Sequence, residues 1–406
     1  MQEQNVVVRR SLRWSALGAV LAASILAGCS ASPAASPPPA SSPSASTPSV
    51  SSPAPPVTPS ATPSPSPTQS PVDSLTLEER VGQLFMVGTK ATAASPVTLS
   101  AVEDRHAGGV FLSGRSHAGV QATADLVDRF TAAAGTQTPL WVATDQEGGE
   151  VQVLHGPGFD AMPYGIRQAD LSDDQLRASA GRWGRGLAAA GVNVDLAPIA
   201  DIVTSKATRL DNPPIGAFGR QYGYNESTVA DKAGAFAEGM RDAGILPTFK
   251  HFPGLGHVSA NTDTTADVVD TVVTTNGPDI DVYRPLTQAG PSAVMVSSAI
   301  YDRIDGSTPA VFSSKVVDVL RNQVGFSGVL FSDDLSQAVA VSAWSPADRA
   351  VKAISAGVDV LLVAEDASVF PAMYDAVLAR ALRDPQFAAQ VDAAAARVLA
   401  AKADMP

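Results

Sequence analysis

Eight short apolar runs, separated by longer segments with a helical pattern, constrain the fold of this chain more than any other feature. The runs lie at 84–87, 109–112, 140–143, 192–197, 245–249, 293–296, 328–331 and 358–363, and alanine-rich segments such as 172–190, 228–243 and 315–324 lie between them. Continuous apolar strands that alternate with helices predict a parallel sheet covered by helices. Eight of them in about 330 residues predict a single α/β domain, a (β/α)8 barrel of the TIM type. A doubly wound open sheet is the alternative, and it is weakened because no glycine-rich dinucleotide fingerprint follows the first run.

The N-terminus carries the pattern of an export signal. Arg9, Arg10 and Arg13 precede an apolar segment at 14–27 that is short for a membrane span. The segment ends in Leu-Ala-Gly before Cys29, the single cysteine of the chain, and this resembles the bacterial lipobox. We therefore predict a signal peptide at 1–28 and a lipidated Cys29 that anchors the protein at the extracytoplasmic face of the cell membrane. An ordinary cleaved signal peptide with an accidental cysteine is the alternative, and one cysteine forms no intrachain disulfide.

Residues 30–72 consist almost entirely of serine, proline, alanine and threonine and include no charged residue. Such a segment cannot bury a core, so we predict a disordered linker at 29–72 that starts at the lipidated cysteine. Extended at about 3 Å per residue, it would reach on the order of 100 Å from the membrane; a passive spacer is the alternative. The folded domain is expected at 73–406, opening with a capped helix at 74–79.

The charge of the chain narrows the class of partner. Lysine and arginine total 28 against 40 aspartates and glutamates, so the net charge is −12. A nucleic-acid partner needs a basic face, and we therefore expect none. We expect a monomer.

Polar residues follow the predicted strands at the point where each strand ends. After the third to eighth strands come, in order, Asp145 with Gln146 and Glu147; Arg209, Asp211 and Arg220; Lys250 and His251; Ser297 and Ser298; Asp333 and Asp334; and Glu365 and Asp366. The carboxyl ends of barrel strands form one face, where catalytic residues lie. Carboxylates beside lysine, histidine and arginine favour glycoside chemistry. The alternatives are local: Asp333 caps the next helix, Asp145 closes a turn, and Lys250 meets only solvent.

Four segments resemble glycoside hydrolase family 3. They are TLEERVGQLF at 76–85, DQEGG at 145–149, KHFPGLG at 250–256 and GFSGVLFSDDLS at 325–336. The similarity spans residues 75–400. A single barrel with no second α/β domain after it is most similar to the β-N-acetylglucosaminidase branch of that family.

The resemblance implies a role for several residues. Asp333 matches the nucleophile that forms a glycosyl-enzyme. The residues that match positions binding the sugar are Asp145, Arg220, Lys250 and His251. No cofactor and no metal are implied. The implied activity is that of a retaining exo-β-N-acetylglucosaminidase acting on terminal β-linked N-acetylglucosamine of peptidoglycan fragments. A β-glucosidase-type exo-hydrolase and a non-catalytic sugar-binding lipoprotein are the alternatives.

The chain departs from the family pattern at two places. On the loop after Lys250 and His251, Asn261-Thr262-Asp263 stands where the branch usually has Asp-Ser-His, so Asp263 takes the place of the acid/base histidine. The second departure is at Glu150 and Val153, where the family often has arginine. It affects which leaving group, or which sugar, the site is expected to accept.

His257 is the one histidine between Pro253 and Ala266. It is a second candidate for the acid/base if the loop shifts, and a surface histidine is the favoured interpretation. A metal site formed by His251, His257 and Asp263 is disfavoured, because these residues lack a compact ligand motif.

Overall fold

The computed structural model describes residues 71–136 and 138–405. The predicted signal peptide at 1–28, Cys29 and the linker as far as residue 70 lie outside the described residues. The described residues begin with a 3-10 helix at Pro71–Ser74, in which Val72 is buried. The domain therefore starts at least two residues before the predicted boundary at Asp73. Within the described residues no helix is long and apolar enough to cross a membrane.

Eight parallel strands form the sheet at the centre of the domain. They are β1 (Phe85–Lys90), β2 (Gly109–Ser113), β3 (Trp141–Thr144), β4 (Val194–Asp195), β5 (Leu246–Phe252), β6 (Ala293–Val296), β7 (Leu330–Ser332) and β8 (Leu361–Val363). Their order is β7-β6-β5-β4-β3-β2-β1-β8. A parallel bridge between Phe331 and Val360 joins the two ends of this order, so the sheet closes into a barrel. Each predicted run overlaps one strand, and the predicted (β/α)8 fold is confirmed.

Strand β4 is much shorter than the apolar run that predicts it. The side chain of Asn193 replaces part of the ladder: its Oδ1 accepts the Val142 N–H at 2.7 Å, and its Nδ2 donates to the Leu140 carbonyl at 3.0 Å. The backbone beyond β4 contains a cis peptide bond before Pro198. A side chain that imitates a backbone group gives no periodic signal in the sequence, so the pattern could not show where regular pairing ends.

Helices surround the barrel. They are α1 (Leu77–Gln83), α2 (Pro96–Arg105), α3 (Gly119–Ala134), α4 (Gly165–Gln168), α5 (Asp173–Ala189), α6 (Glu226–Asp242), α7 (Pro278–Asp281), α8 (Tyr283–Gln288), α9 (Asp302–Asp305), α10 (Ser314–Asp318), α11 (Pro346–Ala356), α12 (Phe370–Ala381) and α13 (Pro385–Ala403). The predicted cap is present at α1, where Thr76 Oγ1 accepts the Glu79 N–H and the Glu79 carboxylate accepts the Thr76 N–H. Satisfying two free helix-end donors in this way stabilises the start of the domain.

Short elements complete the described chain. A two-stranded hairpin joins Gln146–Gly148 to Val151–Gln152, and a small sheet joins Val269–Asp270, Ile300–Tyr301 and Gly306–Pro309. The 3-10 helices after the first are Arg209–Asp211, Ala310–Phe312, Val339–Val341 and Ala367–Val369, and a π-helix runs over Val319–Val324.

The barrel interior is filled below the carboxyl ends of its strands. Large apolar side chains from most strands meet there, including Met86, Phe111, Trp141, Met295 and Phe331. The rings of Trp141 and Phe331 lie 5.7 Å apart. Burial of each such side chain contributes roughly 1.5–3 kcal/mol. Because the interior is solid, ligands have room only above this layer, where the polar residues lie.

The C-terminal helix α13 covers the opposite end of the barrel. Val398 packs into the interior cluster, and Lys402 is only 4 % exposed. The ammonium of Lys402 donates to Gln83 Oε1 and to the Gly108 carbonyl, both at 2.7 Å, and lies 5.3 Å from the Trp141 ring centre. Burial lowers the pKa of Lys402 to about 7. The last helix therefore closes the barrel with a buried amine that has no carboxylate partner among the described residues.

We expect Lys402→Met to change how stability depends on pH. The unfolded lysine keeps its ordinary pKa of 10.5, whereas the folded one titrates near 7. Between these values the unfolded state binds the extra proton, so Lys402 makes the wild type more stable as pH rises, by up to ~1.4 kcal/mol per pH unit; below pH ~7 the cost of burying the charge is constant. Urea unfolding from pH 6 to 10 should show a smaller slope for Lys402→Met than for the exposed control Lys352→Met. A free-energy difference from wild type that stays constant over this range would contradict the prediction.

Candidate active site

A cavity of about 410 Å³ opens at the carboxyl ends of the strands. Its walls include six of the residues that the sequence predicts for binding or catalysis: Asp145, Arg220, Lys250, His251, Asp263 and Asp333. The volume is at the lower end of the range for small-molecule sites.

A buried ion-pair network forms one wall of the cavity. Lys250, at the end of β5, places its Nζ 2.6 Å from Asp145 Oδ1 and 2.7 Å from Glu147 Oε1. Arg220 binds Glu147 with two parallel hydrogen bonds of 2.7 and 2.8 Å. The Arg220 guanidinium also donates to the Pro214 carbonyl at 2.7 Å. Glu147 thus connects both cations and fixes their position, while Asp145 keeps an exposed edge toward the cavity.

Local backbone structure sets the two carboxylates of this wall. Asp145 and Glu147 lie at the start of the hairpin that follows β3, and Asp195 Oδ1 accepts the intervening Gln146 N–H at 3.0 Å. The next residue, Gly148, has φ of 104°, a conformation that side chains with a Cβ rarely adopt. The sequence DQEGG therefore encodes a tight turn that presents both carboxylates to Lys250.

Charge pairing controls ionisation in the network. Burial alone would raise the pKa of Glu147, but the positive charges of Arg220 and Lys250 and their hydrogen bonds hold it at about 2. Burial would lower the pKa of Lys250, but Asp145 and Glu147 raise it above its ordinary value. Glu147 and Lys250 are therefore both charged at neutral pH. Paired charges of this kind bind vicinal hydroxyls of a sugar by fixed donors and acceptors.

His251 is held from behind by a fully buried carboxylate. Its Nδ1 lies 2.9 Å from Asp201 Oδ2, and its own backbone N–H and that of Leu255 donate to Asp201 Oδ1 at 3.1 and 2.7 Å. Since Nδ1–H donates to the carboxylate, Nε2 is left available on the cavity side. Asp201 thus fixes the ring orientation of His251 and the first turn of the following loop.

Asp333 lies directly after β7. Its backbone N–H donates to the Val296 carbonyl at 3.1 Å, and its Oδ1 accepts the Asp334 N–H at 2.8 Å. Burial raises the pKa of Asp333 to about 6; the charge of His251 opposes this shift, and the charge of Asp263 adds to it. Asp333 is therefore mostly ionised at neutral pH, has few competing hydrogen bonds, and faces the cavity.

The neighbouring carboxylate is used differently. Asp334 Oδ1 accepts from both the N–H and the hydroxyl of Ser336 and from the Ala364 N–H, and Oδ2 accepts the Gln337 N–H. Three of these bonds brace the loop after β7, and the fourth, from Ala364, ties that loop to the end of β8. The structure thus gives Asp334 the supporting hydrogen bonds and leaves Asp333 free.

The loop carrying Asp263 is docked onto the loop that follows Asp333. The Thr262 and Asp263 carbonyls accept the N–H groups of Ala340 and Val339 at 3.0 and 3.2 Å. Asn261 Oδ1 accepts the Asp263 N–H at 2.9 Å, which closes an Asx turn. Thr262 is buried, whereas Asp263 is exposed on the cavity wall. The triplet thus holds a carboxylate near Asp333.

Comparison with known proteins identifies the family. The Glycosyl hydrolase family 3 N terminal domain matches residues 76–401. The chain belongs to glycosyl hydrolase family 3. It is therefore a glycoside hydrolase, and the resemblance of the four sequence segments is confirmed.

Relatives of this family 3 enzyme cover most of its length. It is 32% identical over 345 residues to the beta-hexosaminidase LpqI of Mycobacterium tuberculosis, covering 82% of this chain and 84% of LpqI. The structure is similar to that of a beta-N-acetylhexosaminidase from Beutenbergia cavernae, with a TM-score of 0.80 and 53% identity. The match covers 81% of this chain and 99% of the Beutenbergia chain. A family 3 beta-N-acetylglucosaminidase from Paenibacillus has a TM-score of 0.74 and 29% identity over 81% of this chain and 62% of its own.

His257 does not join the residues around Asp333 in this family 3 structure. Its Nε2 lies 3.0 Å from Asp279 Oδ1, and its Nδ1 lies 2.7 Å from Thr204 Oγ1. It faces a neighbouring pocket and is 9 % exposed, so the interpretation as a surface histidine is wrong. Burial lowers the pKa of His257, but the hydrogen bond to Asp279 and the negative charges of Asp279, Asp270 and Asp201 together outweigh it, and the net shift is upward. Both ring nitrogens are engaged in anchoring the loop, which separates His257 from the chemistry.

Sequence reasoning missed two residues that organise the site. Glu147 lies within the DQEGG segment, and its short spacing from Asp145 was the available signal. Asp201 follows β4 and had no local pattern to distinguish it from a turn residue. Among the described residues, no group of three or more histidine, cysteine or acidic side chains is placed to hold a metal ion.

Proposed function

We propose that this family 3 enzyme is a retaining exo-β-N-acetylglucosaminidase that removes terminal β-linked N-acetylglucosamine from peptidoglycan fragments. The observation that carries the proposal is the position of Asp333, an ionised and unhindered carboxylate facing the ion-pair wall across one small cavity. The choice of sugar is supported by the hexosaminidase relatives, including the 53% identical one. Exo action is supported by the small volume of the cavity, about 410 Å³, beside the ion-pair wall of Lys250 and Arg220.

In the proposed mechanism, Asp145, Lys250 and His251 hold the hydroxyls of the terminal sugar and orient its anomeric carbon toward Asp333. The Asp333 carboxylate attacks that carbon, and the glycosidic oxygen leaves with the bond's electron pair and takes a proton from Asp263. A water molecule then transfers a proton to Asp263 and attacks the glycosyl-enzyme from the opposite face. The sugar is released with its β configuration, and Asp333 is again ionised.

Asp263 meets the demands of this role in a specific way. A general acid has to be protonated before bond cleavage. Asp263 is exposed on the cavity wall close to Asp333, so its carboxyl can reach the departing oxygen and exchange protons with water. In the first step it gives a proton to that oxygen, and in the second step it takes one from the attacking water.

The function is tested by incubating the protein with peptidoglycan fragments and identifying the released sugar by mass spectrometry, with the anomer followed by proton NMR. We expect N-acetylglucosamine, first as the β-anomer. Faster hydrolysis of 4-nitrophenyl β-glucoside than of the N-acetylglucosaminide would favour a β-glucosidase-type enzyme. Binding without turnover of either would indicate a sugar-binding protein and overturn the proposal.

We expect loss of Asp263 to depend on the leaving group. Asp263→Ala should lower kcat for a disaccharide by about 10²–10⁴-fold, because the departing oxygen needs a proton. For a 2,4-dinitrophenyl glycoside, whose leaving group needs none, the glycosylation step should change far less, and azide should accelerate turnover by forming the β-glycosyl azide. Asp267→Asn is the control, because it removes an exposed charge farther along the same loop and keeps a residue type that tolerates the left-handed φ of 52° there. Equal activity of Asp263→Ala and wild type on the disaccharide would rule out the acid/base role.

The cellular location is proposed from the N-terminal sequence. Lipidation of Cys29 would place the domain on the membrane surface, where cell-wall fragments are available. Membrane fractionation tests this: Cys29→Ala should move the protein out of the membrane fraction, and wild type found free in the medium would contradict it.

A further inference from the structure

Arg115 is a cavity residue without a role in the proposed mechanism. It follows β2 on the loop after Ser113, is exposed, and lines the same cavity as Asp333. Its Nη2 donates to the Glu150 carbonyl at 2.8 Å, which holds the side chain in place. No carboxylate of the described residues lies within ion-pair distance of it, so its remaining N–H groups have no charged partner.

The other strong cations on the cavity wall are already paired. Lys250 contacts two carboxylates, and Arg220 binds Glu147 through two hydrogen bonds. Lys90, which lies outside the cavity lining on the end of β1, pairs with the cavity residue Glu365 at 2.8 Å. Among the described residues, Arg115 is thus the lysine or arginine of this cavity whose charge is not balanced by the protein.

The strand order places Arg115 on the side where a leaving group would lie. The residues proposed to hold the terminal sugar come from the ends of β3, β4 and β5, and Asp333 comes from β7. Going on round the barrel from β7 come β8, β1 and then β2, which carries Arg115. A glycoside whose anomeric carbon faces Asp333 and whose sugar lies over β3 to β5 extends its other half over this remaining arc.

The surroundings show which ligand group suits Arg115. The carboxylates that line the cavity would repel an anion elsewhere in it; they belong to Asp145, Glu150, Asp263, Asp333, Asp334 and Glu365. The Glu150 carboxylate, however, accepts the Tyr164 hydroxyl at 2.8 Å, and its carbonyl is the group that faces Arg115. An anion is therefore favoured only beside the guanidinium, whose planar fork matches a carboxylate.

We propose that Arg115 binds a carboxylate on the leaving group and makes the enzyme selective for glycosides of acidic sugars. This inference rests on the proposed function. It adds a specificity residue on a different loop from those that hold the terminal sugar, and it assigns a partner to the unbalanced charge. Binding would place one charge-assisted hydrogen-bonded pair at the rim without disturbing the network of Glu147.

The test compares two disaccharides that differ in one charge: N-acetylglucosaminyl-β-1,4-N-acetylmuramic acid and the methyl ester of its lactyl group. Wild type should have the higher kcat/KM for the acid. Arg115→Gln should lower kcat/KM for the acid about 10–100-fold, the range for a charge-assisted hydrogen bond, and leave the ester within about threefold. Added salt should lower the wild-type kcat/KM for the acid and have little effect on the variant. The exposed Arg129→Gln is the matched control.

The outcomes separate the two proposals. Wild-type preparations are assayed in parallel on 4-nitrophenyl β-N-acetylglucosaminide, which carries no carboxylate. If wild type cleaves this substrate but Arg115→Gln retains the full preference for the acid, or loses activity on acid and ester alike, the role of Arg115 is overturned and the proposed function stands. If wild type cleaves none of the three, the proposed function fails, and the inference fails with it.

Discussion

Asp333→Asn should lower kcat by about 10⁴-fold or more, because the amide cannot form the glycosyl-enzyme. A 2-fluoro glycosyl probe should label Asp333 in wild type, as peptide mass spectrometry would show, and should label nothing in the variant. Asp334→Asn is a demanding control, since Asp334 is adjacent but is bound by Ser336, Gln337 and Ala364. Asp334→Asn should lower the free energy of unfolding, whereas its kcat should fall far less than that of Asp333→Asn. A label on Asp334, or near-normal turnover by Asp333→Asn, would refute the assignment.

The raised pKa of Asp333 adds a second, independent result. The nucleophile has to be ionised, so kcat/KM of the wild type should fall as pH drops below about 6. Stability should show the opposite trend. A carboxyl whose folded pKa exceeds its ordinary value of 3.8 lowers stability as pH rises from there to about 6. Asp333→Asn should therefore unfold at a higher temperature than wild type above pH 6, and the gain should shrink toward pH 4.

Glu147→Gln should cause the largest loss of stability among the changes considered. Removing this charge leaves Arg220 and Lys250 buried with reduced compensation, which costs about 3–5 kcal/mol for a broken buried pair. The measurement is urea unfolding at pH 7, together with KM, which should rise because the wall that holds the sugar is displaced. Glu150→Gln is the control, since that nearby glutamate lines the cavity but its carboxylate accepts only the Tyr164 hydroxyl. A loss below about 0.5 kcal/mol would contradict the central position of Glu147.

The loss of unfolding free energy in Glu147→Gln should itself depend on pH. The pKa of Glu147 is depressed from 4.5 to about 2, so its stabilisation is fully present above pH 4.5 and is lost as pH falls toward 2. The difference in unfolding free energy between wild type and Glu147→Gln should therefore narrow over that interval. If Glu147→Gln does not fold, Glu147→Asp, which keeps the charge on a shorter side chain, should fold and show a raised KM.

The fold was predictable because each strand is a continuous apolar run, and such runs are specific for a sheet buried on both faces. The extent of β4 was not predictable, since Asn193 replaces backbone pairing with side-chain hydrogen bonds to a strand about 50 residues earlier. Only the three-dimensional arrangement reveals a contact of that kind.

The sequence could identify the site residues that directly follow strands, such as Asp145, Lys250 and Asp333. It could not identify residues whose role depends on buried contacts with distant parts of the chain. Glu147 is central because Arg220, 73 residues later, reaches the same carboxylate. His257 lies three residues after Gly254, and the sequence favours a surface position for it. In the structure its Nε2 contacts Asp279. Sequence neighbours on one loop thus point into different pockets.

The way α13 closes the barrel determines when in its synthesis the protein can fold. Strand β1 pairs with β2 but also with β8, and the interior layer is completed by Val398 near the end of the chain. During synthesis, β1 therefore lacks its β8 partner, and the interior layer lacks the cover of Val398, until α13 has been made. Completion of the barrel thus depends on α13.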